Sequence, residues 1–214
     1  MAAEADVLVD DWGGGVHPYR VGHRKLGMWL FIMSDSLTFS ALLIGYAYLR
    51  ASNVWPTPFK FYPSLVFSSV MTLVLLSSSL TMVMAVSASA HGKKSAARKW
   101  IILTALLGAT FIILHSIEWN HLIGEGLKPF QLPQEWIERW PGSTPLFGAT
   151  FFGITGLHMF HVFTGCLYLF VVAARVKKLK HEDVEISGLY WHFVDLVWMF
   201  VFPMIYILSI DPKK

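Results

Sequence analysis

The chain has 214 residues, of which 55% are hydrophobic and only 14% charged, whereas a soluble domain carries about a quarter charged residues. A soluble globular domain is excluded and a membrane protein is indicated. The formal net charge of +3 does not point to nucleic acid, because the basic residues lie between apolar segments and form no single patch; they fit anchoring at an inner membrane leaflet.

Residues 1–24 are polar and partly acidic, with no apolar core of the kind a cleavable signal peptide needs. The first spanning helix is therefore expected to direct insertion, with this segment in the cytoplasm. A spanning helix takes about 20 mostly apolar residues. Five segments qualify, at about residues 25–50, 62–90, 98–121, 145–174 and 186–210, and only residues 211–214 follow. No internal repeat or low-complexity tract divides them, so 25–210 reads as one all-α transmembrane domain. Eleven Lys and Arg fall on the side of the N-terminus and the second and fourth connections, against six on the other. The positive-inside rule then puts the N-terminus in the cytoplasm and the C-terminus outside.

The first segment carries Asp35 inside "MWLFIMSDSLTFSALLIGYAYL", ten residues past Lys25 and so roughly 15 Å deep. A carboxylate there costs about 2.5–3.5 kcal/mol even on the lenient insertion scale. Two readings stay open: a polar helix–helix contact, or a carboxyl that exchanges protons. The second segment, by contrast, has no charge at all.

The third segment ends in "LHSIEWNHLI", which places His115, Glu118 and His121 near one helix face. Glu118-x-x-His121 has the form of a di-iron element, but that architecture needs the element twice, with two further glutamates. No second copy lies in a spanning segment. An interfacial hydrogen-bond cluster is the expectation, and a small membrane di-iron enzyme the alternative.

In the fourth segment, "FFGITGLHMFHVFTG", His158 and His161 are i, i+3 neighbours among glycines that permit close helix approach. Buried histidines bonded across helices are expected. The lone Cys166 allows neither an internal disulfide nor a cysteine metal site. In the fifth segment, "YWHFVDLVWMFVF", His192 and Asp195 are again i, i+3; a shared proton or an ion pair would lower the cost of burying Asp195. A further alternative is a transporter or channel subunit using Asp35 and Asp195 as a relay. No nucleophilic triad or phosphate-binding loop occurs.

In this order and at this spacing, "GMWLFIMSDSLTFSALLIGYAYLR", "HSIEWNHLI", "FFGITGLHMFHVFTG" and "YWHFVDLVWMFVF" resemble subunit III of the heme-copper respiratory oxidases, over roughly residues 24–208. The chain is similar to the five-helix form that lacks the first two helices of seven-helix members. Asp35 departs from the glutamate of many cytochrome c oxidase members and is familiar in the quinol oxidase branch. His115 stands where glutamine is common.

The resemblance implies an accessory subunit of a proton-pumping oxidase in the bacterial inner membrane. It implies electrons from cytochrome c, with quinol as the alternative donor, and oxygen reduced to water. It implies no catalytic residue, metal or cofactor in this chain; heme and copper belong to partner subunits. Subunit I, subunit II and other respiratory subunits are the implied partners, with a supercomplex to a quinol-oxidising complex, and no nucleic acid. A helix pair and a three-helix bundle would form a V-shaped cleft holding structural phospholipid. Asp35 takes the position of the family's reactive intramembrane carboxyl. His115, Glu118, His121, His158, His161, His192 and Asp195 take structural polar positions.

Overall fold

A computed structural model describes residues 23–210; the expected cytoplasmic segment and the last four residues lie outside the described residues. Five long helices dominate: α1 (His23–Ser52), α2 (Val66–Ala90, entered through a π-turn at Phe61–Leu65), α3 (Lys94–Gly124), α5 (Leu146–Arg175) and α6 (His181–Ile205). A short α4 (Gln134–Arg139) lies in the longest connection, and a 3-10 turn, Ile207–Ser209, ends the described chain. The five are long and apolar enough to cross a membrane. In hydrocarbon the backbone has no other partner for its N–H and C=O groups, so an apolar run of this length must be helical.

The helix ends follow local chemistry. α6 starts five residues before the apolar run at 186, because Asp183 accepts the Lys180 backbone N–H at 3.0 Å and Glu182 and Asp183 both sit in the first turn. Acidic side chains are favoured there by the helix dipole. α3 runs on to Gly124, then closes through Gly126 at φ 98°, with Leu127 N–H reaching back to the Leu122 carbonyl at 3.0 Å. Glycine takes that left-handed conformation without a Cβ penalty.

α2, α3, α5 and α6 form a closed ring in which each packs on the next, and α1 lies outside it, against α6 and more lightly α5. The helices therefore divide four plus one and not as the expected pair and triplet. The reason is visible in the side chains. Only Ile32, Phe39 and Tyr46 of α1 are buried, seven residues apart, a single narrow seam. α2 instead sends Ser68, Thr72, Ser78 and Thr81 to partners on α3 and α6: Glu118, Trp198, Trp191 and Thr104. α1 is tied at its ends. Arg24 pairs with Asp183 at 2.9 Å and Lys25 with Glu185 at 2.7 Å; at the other end Arg50 donates to Ser209 Oγ at 3.0 Å and to the Leu208 carbonyl. α1 and α6 together line a groove, with Phe39 and Leu43 on one side and Leu196 and Phe200 on the other.

The ring closes around Trp191, whose Nε1 donates to Ser78 Oγ at 3.0 Å. Its indole fills the slot that Gly108 and Gly165 leave open; a Cβ on Gly108 would overlap the ring, and one on Gly165 would come within 3.1 Å of it. Gly108→Ala is expected to cost about 1–3 kcal/mol, as overpacking of a filled core does. Thermal unfolding in detergent, followed by tryptophan near-UV dichroism, measures it; an unchanged transition would show that the slot has room to spare.

Candidate functional site

Asp35 meets a residue that sequence spacing does not pair with it. Its Oδ2 lies 2.9 Å from His161 Nε2, with side-chain exposures of 19% and 13%. The oxygen is off the ring N–H direction, so the approach is at ion-pair distance without an aligned hydrogen bond. On the other side of the ring, His161 Nδ1 is 2.8 Å from the Leu157 carbonyl. A carbonyl only accepts, so Nδ1 carries a hydrogen. A neutral imidazole would then turn a bare Nε2 lone pair toward a carboxylate oxygen. The contact is attractive only if one further proton sits in the pair, either on Nε2, giving an imidazolium–carboxylate pair, or on Asp35, giving two neutral groups. Phe39 of α1 packs edge-on against the ring at 5.4 Å, and Tyr190 OH donates to the His161 carbonyl at 3.1 Å.

His158 and His161 do not act together. His158 is buried, and its Nε2 donates across to the Val194 carbonyl of α6 at 3.0 Å, while Nδ1 has no partner. His161 faces α1. The i, i+3 spacing has put them on adjoining faces of α5 that serve different neighbours.

Glu118 is 8% exposed and both its oxygens are taken. Ser68 donates to Oε1 and Tyr206 OH to Oε2, each at 2.6 Å. These two hydroxyls come from α2 and from beyond α6, so the carboxyl joins three parts of the fold. His115 Nδ1 is 3.5 Å from Oε2, and neither of its ring nitrogens has an aligned partner. It sits in an aromatic box, stacked on Phe111 and edge-on to Trp198. His121 leaves the expected cluster: it is exposed, and its Nδ1 approaches Glu125 at 3.6 Å. Glu118 and His121 border one cavity with Phe67 and Ile117 but make no direct bond, and among the described residues no three His, Cys, Asp or Glu side chains gather as metal ligands would.

His192 and Asp195 do not bond directly. Ser79 of α2 lies between them, 2.9 Å from His192 Nδ1 and facing the Asp195 carboxyl, whose Oδ1 is buried without a partner. Ser68, Ser79, Tyr190 and Tyr206 were not singled out by sequence. Ser68 and Ser79 sit in a helix without charges, where serine reads as a small packing residue, and Tyr206 follows the helix-breaking Pro203. Chemically, the three acid sites tie helices together; none presents a nucleophile beside a base.

The family model for cytochrome c oxidase subunit III matches residues 5–210. Among curated proteins, the cytochrome bo(3) ubiquinol oxidase subunit 3 of Pseudomonas putida is 32% identical over 190 residues, covering 86% of each chain. The cytochrome c oxidase subunit 3 of Thermostichus vulcanus is 33% identical over 193 residues, covering 87% of this chain and 88% of its own. That of Alkalihalophilus pseudofirmus is 30% identical over 205 residues, at 91% and 93% coverage. With matches of this extent on a five-helix membrane fold, the chain belongs to the subunit III family of the heme-copper respiratory oxidases.

Proposed function

We propose that this chain is the accessory subunit of a proton-pumping terminal oxidase and supports proton uptake and durable turnover by the catalytic subunit. Family membership makes it a component of a respiratory oxidase complex in the bacterial inner membrane. Cytochrome c is our assigned donor, with ubiquinol the alternative, since the relatives' names include both. The observation that carries the proton role is the Asp35–His161 pair, a one-proton site within a membrane helix bundle. The basic ends of the helices face the cytoplasm in this reading, as the charge bias supports. Phospholipid is the proposed occupant of a groove of about 350 Å³ between α1 and α6, lined by Ser36, Phe39, Leu43, Leu196, Phe200 and Met204. Heme, copper and the contacts to subunits I and II and to a quinol-oxidising complex belong to the assembly.

The test is isolation of the tagged chain from native membranes, followed by a reduced-minus-oxidised heme spectrum. Heme in fixed ratio to the chain is expected; a pure chain without heme overturns the reading. In the same preparation Asp35→Asn is expected to keep the heme spectrum and assembly and to slow proton uptake. The carboxamide retains a contact to Nε2 but carries no exchangeable carboxyl proton. Unchanged uptake kinetics would remove the proton role and leave a structural one.

A further inference from the structure

We infer that the cluster Ser79, His192 and Asp195 is a docking point for a transmembrane helix of another oxidase subunit, one that presents an uncharged hydroxyl or carboxamide side chain at mid-bilayer depth. The inference rests on the accessory-subunit reading and adds which face of the chain is covered and by what chemistry.

His192 is half-buried and lies eleven residues into α6, so roughly 17 Å from that helix end, near the middle of a hydrocarbon layer about 30 Å thick. Its Nδ1 is engaged by Ser79 at 2.9 Å. Its Nε2 has no partner among the described residues, and it is not one of the buried atoms left without a partner, so it reaches the outer surface. Beside it Asp195, 7% exposed, keeps a buried Oδ1 with no hydrogen bond. On the same helix faces, at i−3 and i+4 from Ser79 and i+7 from His192, the surface is apolar and open: Leu76 is 36% exposed, Val83 50% and Met199 41%.

An imidazole nitrogen open to lipid at this depth has nothing to bond, because acyl chains neither donate nor accept. Intramembrane ionisable groups of this kind face protein. Within this chain the two neighbouring helices are used up: α2 supplies Ser79, and α1 turns its own polar residue to His161. No other group among the described residues reaches it, and we assign the partner to another subunit. A hydroxyl or carboxamide both donates and accepts, so it satisfies either imidazole tautomer and brings no second buried charge beside Asp195.

Photo-crosslinking residues placed singly at Val83 and Met199, in the assembled complex, test this, with Ile113 and Leu167 on other exposed faces as comparisons. Adducts to one oxidase subunit from both Val83 and Met199 are expected. Lipid adducts alone from those two sites, with a subunit adduct from Ile113 or Leu167, would overturn the docking point and leave the accessory role standing. No protein adduct from any site would overturn both. In parallel, His192→Leu is expected to raise the fraction of complexes that lose the chain in detergent at least fivefold over His192→Gln, which retains a hydrogen-bonding group. Helical dichroism of the isolated variants separates lost docking from lost folding, and equal retention of folded Leu and Gln variants counts against the proposal.

Discussion

Glu118→Ala is expected to lower the unfolding free energy by about 3 kcal/mol or more, and Glu118→Gln by about 1 kcal/mol. The alanine variant leaves the hydroxyl of Tyr206 without an acceptor and leaves that of Ser68 only its longer contact to the Ser64 carbonyl, at 3.2 Å; both residues are fully buried. Each buried donor left unmade costs about 1–3 kcal/mol, and deletion of the side chain adds a cavity. Average hydrogen bonds between membrane helices contribute less, about 0.6 kcal/mol, because the separated helices find other partners. Here the two donors converge on one carboxyl from different parts of the chain, and one substitution removes the shorter acceptor of Ser68 and the acceptor of Tyr206. Glutamine keeps one oxygen acceptor, and its NH₂ can donate to a hydroxyl that rotates to accept. Thermal unfolding of the three proteins in one detergent measures the order. An alanine variant no less stable than the glutamine variant would show that Glu118 does not join these elements.

That carboxyl also shows how far sequence carries. The five spans follow from composition, because an apolar run in lipid has one backbone solution. Spacing places His115 beside Glu118, since i, i+3 neighbours share a helix face, and the two lie 3.5 Å apart. It places His121 there too, and His121 instead turns out to Glu125, because six residues carry the face around the helix toward the surface. The real partners of Glu118 lie 50 and 88 residues away. Cross-helix matching of a serine or tyrosine to a carboxyl depends on which helices adjoin, and periodicity within one helix does not encode that. The same gap explains the four-plus-one division. The polar stripe of α2 specifies α3 and α6 as neighbours, but in the sequence it is a run of small residues. The short α4 was hidden for another reason: six residues are too few to show a period, and it is fixed by burial of Trp136.

Asp35 illustrates the functional side. Its cost was legible from one residue in an apolar run, and its partner was not, being 126 positions on. The i, i+3 pairing of His158 with His161 pointed elsewhere. Once the chain is folded, the tautomer follows from a backbone contact: Leu157 claims Nδ1, so Nε2 and the carboxyl must settle one proton between them. The structural tie and the proposed proton site are therefore the same contact, and the two readings of Asp35 left open by the sequence do not exclude each other.

His161→Leu is expected to cost about 3 kcal/mol, more than Asp35→Leu, and the double variant less than His161→Leu alone. Removing the imidazole leaves a mostly buried carboxyl with no partner, and breaking a buried pair from one side costs about 3–5 kcal/mol; the residual exposure of both side chains, 19% and 13%, puts this site at the lower end. Removing the carboxyl leaves an imidazole still bonded to Leu157 through Nδ1, so the loss is closer to that of one net hydrogen bond, about 1 kcal/mol. Two leucines fill the seam between α1 and α5 with apolar surface and strand neither group. The coupling between the substitutions is thus expected to be large and of the sign that makes the second one restore stability. A double-mutant cycle from unfolding in detergent reads it directly. Simple additivity of the two single losses would mean that no proton is shared between Asp35 and His161, and would remove the observation on which the proton role rests.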